Sequence, residues 1–279
     1  MPNNFIRLHL TMTIMKPIVS QITIYPIKSL DGINLQKALI TEGGCLMHDR
    51  EYAITDQHGK FINGKSNPLV HTLRTTFDLD QDMVHFRQQE ATTWTTFHLQ
   101  KEKTGIESFL SNYFGQLIQF LQNSTGRFLD IPDISGATIL STTSLETVAQ
   151  WYDVIGINET RNRFRATIEI EGVPAFWEDQ LCSSPGKKIE FKIGDVTLIG
   201  MAPRERCIVP TRNPETGAST FAFAKTFAKQ RAATLPAWSS LREYDHYYYL
   251  SVDCHLPNSE IGKYLEVGSE VVVTATTIT

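Results

Sequence analysis

Short stretches of alternating apolar and polar residues, each closed by a turn-forming cluster, recur along most of this chain. They restrict it to a fold built from antiparallel β-hairpins. Gln21 to Ile27 reads as the first strand, on its alternation and β-branched content, and Asp31-Gly32 marks the turn after it. Further strands are expected over Gln36 to Thr41, Glu51 to Thr55, Leu73 to Leu79, Met83 to Arg87, Trp94 to Leu99 and Leu117 to Leu121. Asp56-Gln57-His58-Gly59 and Asp80-Gln81-Asp82 are hairpin loops by composition. So many short segments, so closely spaced, predict a barrel or a sandwich.

Helices interrupt this pattern in a few places. Thr104-Gly105-Ile106-Glu107 has the form of a capping box and predicts a helix through Phe109, Leu110 and Tyr113, closed by Gly115. A second box, Thr143-Ser144-Leu145-Glu146, predicts a helix through Val148, Trp151 and Ile155, closed by Gly156. Beyond it, Arg163 to Glu171 alternates again, and Lys188 to Met201 reads as a hairpin around Ile193-Gly194-Asp195. A helix over Thr220 to Ala233 and strands near Tyr247 to Val252 and Val271 to Thr276 complete the chain. The turn-rich stretch Asn123 to Gly136 is the expected boundary between two units, 17–125 and 126–279. The fold class is therefore mainly β with added helices (α+β).

Charge and cysteine usage narrow the chemistry. The net charge is -4, so no overall basic field invites nucleic acid or an anionic membrane, and an anionic ligand must be held by local lysines and arginines. No apolar run approaches the about 20 residues that a membrane span needs. The apolar patch Phe5 to Leu10 lacks a convincing signal-peptide cleavage site, and with Met12 and Met15 as alternative starts residues 1–16 read as an extension. The cysteines, at 45, 182, 207 and 254, form no close pair of the kind a zinc ribbon or iron–sulfur cluster requires. Reduced thiols in a cytoplasmic compartment fit this spacing better than a disulfide scaffold.

Cys207 differs from the others in its neighbours. It follows Arg204-Glu205-Arg206 and precedes the turn cluster Asn213-Pro214-Glu215-Thr216-Gly217, and nearby guanidinium charges favour the thiolate that attacks electrophiles or binds soft metals. The blander alternative is a packed, inert thiol. Lys28-Ser29 offers an ammonium and a hydroxyl at a strand end, where a lysine can equally be a solvated charge. His48-Asp49-Arg50 can be a surface histidine beside a weak exposed ion pair. Arg161, Arg163 and Arg165 share one face if their segment is a strand, and three like charges there call for an anion or carboxylates opposite. Trp151, Trp177 and Trp238 are expected in the core or at its rim. Phosphate loops, nucleophile elbows and HExxH motifs are absent from the sequence.

Taken together, several of these segments resemble the MOSC proteins, and within them the two-domain group that includes the mitochondrial amidoxime-reducing components and bacterial relatives. Tyr25-Pro26-Ile27-Lys28-Ser29, His48-Asp49-Arg50 and Phe61 to Pro68 resemble the family's N-terminal β-barrel domain. Phe164-Arg165-Ala166-Thr167-Ile168, Ile193-Gly194-Asp195 and Cys207 to Gly217 resemble the MOSC domain itself, a β-barrel with peripheral helices. The resemblance runs from about Pro17 to near the C-terminus. It departs from the family at Ala166-Thr167, where relatives often carry Pro-Asn, and at Glu205, where they commonly carry a small polar residue.

The resemblance implies a molybdenum–molybdopterin cofactor with Cys207 as the protein's metal ligand and catalytic centre. It implies a cofactor-binding set of Lys28, Ser29, Arg50, Ser141, Thr142, Thr143, Arg165, Arg206 and Cys207, with an aromatic contact from Tyr247, Tyr248 or Tyr249. It also carries a family-level association with pyridoxal phosphate binding. The activity it implies is reduction of N-hydroxylated compounds, amidoximes and hydroxylamines, by abstraction of the oxygen atom. No ferredoxin-like extension follows the second unit, so the expected electron donor is a separate ferredoxin, flavodoxin or b-type cytochrome with its reductase. The alternatives are a non-catalytic carrier of molybdenum cofactor or sulfur, and a β-barrel interaction protein with an inert Cys207.

Overall fold

Eight strands form one sheet, in the spatial order Val271–Ile278, Lys188–Ile193, Val196–Glu205, Tyr249–His255, Ala137–Ser141, Ile168–Glu171, Ile18–Ile24 and Ile33–Leu35. The computed structural model describes residues 16–125, 127–131 and 136–278, so the patch Phe5 to Leu10 lies outside the described residues. Neighbouring strands pair antiparallel except Ala137–Ser141 with Ile168–Glu171, which run parallel across a helical crossover. The hairpin around Gly194-Asp195 is the one its turn residues predict.

The first strand also meets the last. Val19 donates its N–H to the Ser269 carbonyl at 2.9 Å, Gly268 donates to Val19 at 2.8 Å, and Val271 donates to Pro17 at 2.8 Å. The sheet thus curls back on itself, a way to leave few open edges. Its inner face carries the largest core: Val19, Ile22, Ile139, Ile168, Ile170, Phe191, Leu198 and Val252 are all buried. The strand Ile18–Ile24, from the start of the chain, is therefore part of the same sheet as strands beyond residue 136.

Three smaller sheets surround it. Tyr264–Glu266 pairs with Lys37–Thr41, which pairs with Cys45–Leu46; Tyr52–Asp56 pairs with Ile118–Gln122; and Leu73–Asp78, Met83–Gln88 and Thr95–His98 form a meander. Helix α1 (Lys103–Phe114) buries Ile106, Leu110 and Phe114 against Tyr52, Val84, Phe86 and Phe120. Fully burying one such side chain stabilises by roughly 1.5–3 kcal/mol, so this satellite core holds the meander in place. An aromatic cluster of Phe164, Phe176, Phe223 and Phe227 packs with Val148 and Leu250 around helices α2 (Thr142–Ala149), α3 (Ile157–Phe164) and α4 (Phe223–Ala233).

Three local expectations are corrected. Glu102, not Thr104, stands at the cap of α1, and the Glu107 carboxylate accepts from the Phe120 N–H at 2.9 Å instead of closing a capping box; Gly115 does end the helix, with φ +67°. Helix α2 stops at Ala149, because the bonds Trp151 N–H to Val148 O and Tyr152 N–H to Ala149 O tighten its last turn; Gly156 then caps the start of α3. The third correction bears on function. Residues 157–164 are helical, so Arg161, Arg163 and Arg165 do not alternate along a strand, and pairing begins only at Ile168. The Glu159–Arg163 ion pair at 2.6 Å, spaced i,i+4, supplies the helical preference that the alternation concealed. Among the described residues no helix is long and apolar enough to cross a membrane.

Candidate functional site

A cavity of about 790 Å³ opens between the end of the strand Ile18–Ile24, the meander, α3 and the loop after Val196–Glu205. Ten basic and three acidic side chains line it, in a chain whose net charge is -4. A basic concavity on an acidic protein selects anionic ligands by local field, which the overall charge does not reveal.

Cys207 lies on its wall. It is exposed, whereas Cys45, Cys182 and Cys254 are buried. Burial pushes the Cys45 thiol up to about 11 and raises those of Cys182 and Cys254 further, so these three are held as neutral thiols. The segment carrying Cys207 is pinned on both sides. Arg206 donates its backbone N–H to Tyr248 and a guanidinium N–H to the Phe164 carbonyl at 2.7 Å. On the other side, buried Arg163 donates to the Pro210 carbonyl at 2.7 Å, and Val209 directs its N–H at the Cys207 sulfur from 3.5 Å.

The cations near Cys207 fall into two kinds. Lys28 is neutralised by Asp130 at 2.6 Å, Arg204 by Asp253, and Arg161 by Glu169 at 2.6 Å. Arg50 pairs with Asp49, which is fully buried and also accepts the Tyr25 N–H, so the exposed ion pair expected at 49–50 is a buried one. Asp130 also reaches Arg204 at 3.3 Å; Lys28, Arg50 and Arg204 outweigh its burial and hold its carboxyl well below the usual range. Arg165 and Arg206 are different: neither has a carboxylate partner among the described residues. Arg165 stacks on the Tyr25 ring at 4.0 Å and donates to the Leu30 carbonyl at 2.6 Å, and the buried Nε of Arg206 has no acceptor. Burial depresses both guanidinium groups, Arg206 to about 10 with Arg204 adding to the effect, and both remain charged at neutral pH.

Backbone conformation marks the same residues. Ser29, Arg50 and Arg165 have φ of 75°, 51° and 53°. Residues other than glycine in this region cost of order 1–3 kcal/mol each, and such strain clusters at functional sites. Of the expected site residues, Lys28, Ser29, Arg50, Arg165, Arg206 and Cys207 are brought together around the cavity.

Ser141, Thr142 and Thr143 are not among the cavity-lining residues. Ser141 is buried and caps α2 by accepting the Ser144 N–H, Thr142 donates to Glu169 at 2.8 Å, and Thr143 donates to the Val173 carbonyl at 2.9 Å. Tyr247, Tyr248 and Tyr249 do not line it either. Among the lining residues that sequence reasoning missed are Asp31, His71, Arg74, Asp130 and Arg212. Proximity to Cys207 signals only Arg212; the rest arrive from segments with no local mark.

The short turn Trp177–Leu181 buries Glu178, whose carboxyl faces the hydroxyls of Ser144 and Ser141. Burial, and then the charge of Asp179, push its carboxyl up to about 7. The native chain keeps this proton where the unfolded chain, with an ordinary carboxyl near 4.3, has lost it. This contribution is full below about pH 4 and is lost as pH rises through about 7. Glu178→Gln keeps the neutral shape and is expected to raise Tm at pH 8 by on the order of 5 °C, with little change at pH 4. Melting curves across that range check this, and identical pH slopes for the two proteins refute it.

Comparison with known proteins follows the same residues. Residues 16–115 match the model of the MOSC N-terminal beta barrel domain, and residues 135–271 match that of the MOSC domain. The chain is 26% identical over 236 residues to mitochondrial amidoxime reducing component 2 of Bos taurus, covering 71% of this chain and 67% of the relative. It is 36% identical over 62 residues to molybdenum cofactor sulfurase of Oryza sativa subsp. japonica, which is 22% of this chain and 7% of that much longer protein. The crystal structure of the YUAD protein from Bacillus subtilis aligns over 92% of this chain and 94% of its own, with a TM-score of 0.37 and 12% identity.

Proposed function

Because the chain belongs to the MOSC family, with both of its domains matched, we propose that it is a molybdenum-cofactor oxidoreductase that reduces N-hydroxylated compounds. Family membership and the two named relatives support a function tied to the molybdenum cofactor. The reaction is the finer part of the reading. The observation that carries it is an exposed Cys207 on the wall of a cavity that also holds two cations, Arg165 and Arg206, without carboxylate partners.

The donor set fits the cofactor. Among the described residues no three His, Cys, Asp or Glu side chains group to hold a metal by themselves. A single soft thiolate suits a metal whose remaining sulfur ligands come from a pterin dithiolene. Arg165 and Arg206, cations without a carboxylate ion-pair partner among the described residues, suit a phosphate or the oxygens of a pterin, and Lys28, Ser29 and Arg50 add an ammonium, a hydroxyl and a third guanidinium to the same wall.

When bound, the cofactor supplies the oxygen-transfer chemistry. Everything else falls to the chain. Cys207 holds the metal, Arg163 and the Arg206 backbone fix the loop that presents it, and the arginines orient the cofactor. The N–O bond of an amidoxime or hydroxylamine is cleaved, two electrons and two protons are consumed, and the products are the amidine or amine and water. The electrons come from a separate donor protein, a ferredoxin, flavodoxin or b-type cytochrome with its reductase. In this reading the protein is cytoplasmic.

The test is to purify the protein from a molybdenum-replete host, measure metal and pterin per chain, and assay benzamidoxime with an artificial electron donor. About one molybdenum per chain with benzamidine formed is the expected result. Metal-loaded protein that forms no benzamidine from benzamidoxime or benzylamine from N-benzylhydroxylamine overturns the reductase reading in favour of a carrier.

A further inference from the structure

The cavity extends past Cys207 into a second corner that the cofactor-binding set does not account for. Its walls are the turn Pro68–Thr72, the side chain of Arg74 and the turn Asn213–Gly217. These surfaces are in close contact. Gly217 has φ +71°, and a Cβ there would stand 3.0 Å from the Pro68 carbonyl oxygen, so only glycine lets the turn sit against the wall.

Two guanidinium groups converge on this corner. Arg74 donates to the carbonyls of His71 at 2.6 Å and Pro214 at 3.1 Å, and Arg212 donates to Gly217 at 3.3 Å. Both residues line the cavity. His71 lines the same corner, buried and 3.4 Å from the Gly64 carbonyl; burial, with the charges of Arg212, Arg165 and Arg74, outweighs that contact and lowers its pKa, so it adds no further positive charge at neutral pH. Lys65 and Asn63 stand beside it among the lining residues. Against Arg74, Arg212 and Lys65 stands the lining carboxylate Asp31, 3.5 Å from Arg74, with Glu215 exposed on the turn Asn213–Gly217.

Cationic side chains gathered in a concave site repel one another, and an anion bound there offsets that cost. The cations matched to the cofactor are others: Lys28, Arg50, Arg165 and Arg206. We propose that the Arg74–Arg212 corner is a substrate subsite for an anionic group, so that the chain takes N-hydroxylated compounds bearing a carboxylate or phosphate. The N-hydroxyl part of this statement rests on the proposed function; the anion subsite does not.

The test compares 4-carboxybenzamidoxime with neutral benzamidoxime on cofactor-loaded protein, by calorimetric binding and by kcat/KM. In the native chain the carboxylated compound is expected to bind about tenfold or more tightly, as a charge-assisted contact provides. That preference is expected to fall to about threefold or less in Arg212→Gln and to persist in part in Arg212→Lys, which keeps the charge. Arg74→Gln serves as the second variant, since Arg74 also braces the turn. Equal affinities for the two compounds in the native chain, or a preference that survives both glutamine variants, overturn the subsite. Selective binding of the carboxylated compound without turnover leaves the subsite standing and counts against the reductase instead.

Discussion

The Cys207→Ala protein is expected to fold with native stability and to retain no molybdenum. Its thiol is exposed, and among the described residues its sulfur accepts a long hydrogen bond from the Val209 N–H at 3.5 Å, so truncation removes little packing. Substitutions at such positions change stability by about 0.5 kcal/mol or less. A bound metal would find no second thiolate to take its place, because the other three cysteines are buried and held as thiols. Metal analysis is therefore expected to fall from about one atom per chain to background, and turnover with it. Cys207→Ser, offering a hard oxygen, is expected to behave like the alanine variant. Cys254→Ala is the control in the opposite direction, losing stability but keeping metal. Full molybdenum in Cys207→Ala would end the claim that this residue is the ligand.

The largest effect on stability is expected at Asp179. Its carboxylate meets Arg231 in an ion pair whose side chains are 8% and 1% exposed, and the Arg231 guanidinium stacks on the Phe176 ring at 3.8 Å. Asp179→Ala leaves that guanidinium buried with no counter-charge, which costs about 3–5 kcal/mol. For a chain of this size the corresponding fall in Tm is on the order of 10 °C. Asp179→Leu combined with Arg231→Met removes both charges and is expected to recover most of the loss, because the desolvation cost disappears along with the attraction. Melting curves of the single and double variants decide this. A single variant within 2 °C of the native protein, a change of under about 1 kcal/mol, would show that the pair is already hydrated.

The sequence conveyed the hairpins better than the helices, for a physical reason. Tight turns such as Asp80-Gln81-Asp82 and Ile193-Gly194-Asp195 are local, and the alternation beside them is set by one buried face. Arg161 to Arg165 misled because three arginines at every second position imitate a strand. The evidence for a helix was the Glu159–Arg163 spacing, a weaker signal of a few tenths of a kcal/mol.

The cavity shows the same division between local and distant information. Lys28, Ser29, Arg50, Arg165 and Cys207 were legible because their motifs carry a family resemblance, and the structure brings all five to one cavity. Arg74 and Asp31 were not, because each is an ordinary surface charge until the meander packs beside the strand Ile18–Ile24. The hydroxyl run Ser141 to Thr143 does not line the cavity. A serine before a helix is first of all a cap, and Ser141 spends its oxygen on the Ser144 N–H.

The meeting of the first strand with the last has a consequence for how the protein is made. Ile18–Ile24 leaves the ribosome early, but its partner Ile168–Glu171 follows after about 150 residues and the seam at Gly268–Val271 after about 100 more. At translation speeds of about 5–20 residues per second the strand waits roughly 10–50 s for its final neighbours. During that interval only Ile33–Leu35 is available to pair with it, and its other edge, partly apolar, is open to other chains. Yield of soluble protein is thus tied to the rate of synthesis, and slower, cooler expression with ample chaperone is the condition under which the sheet has time to complete its seam.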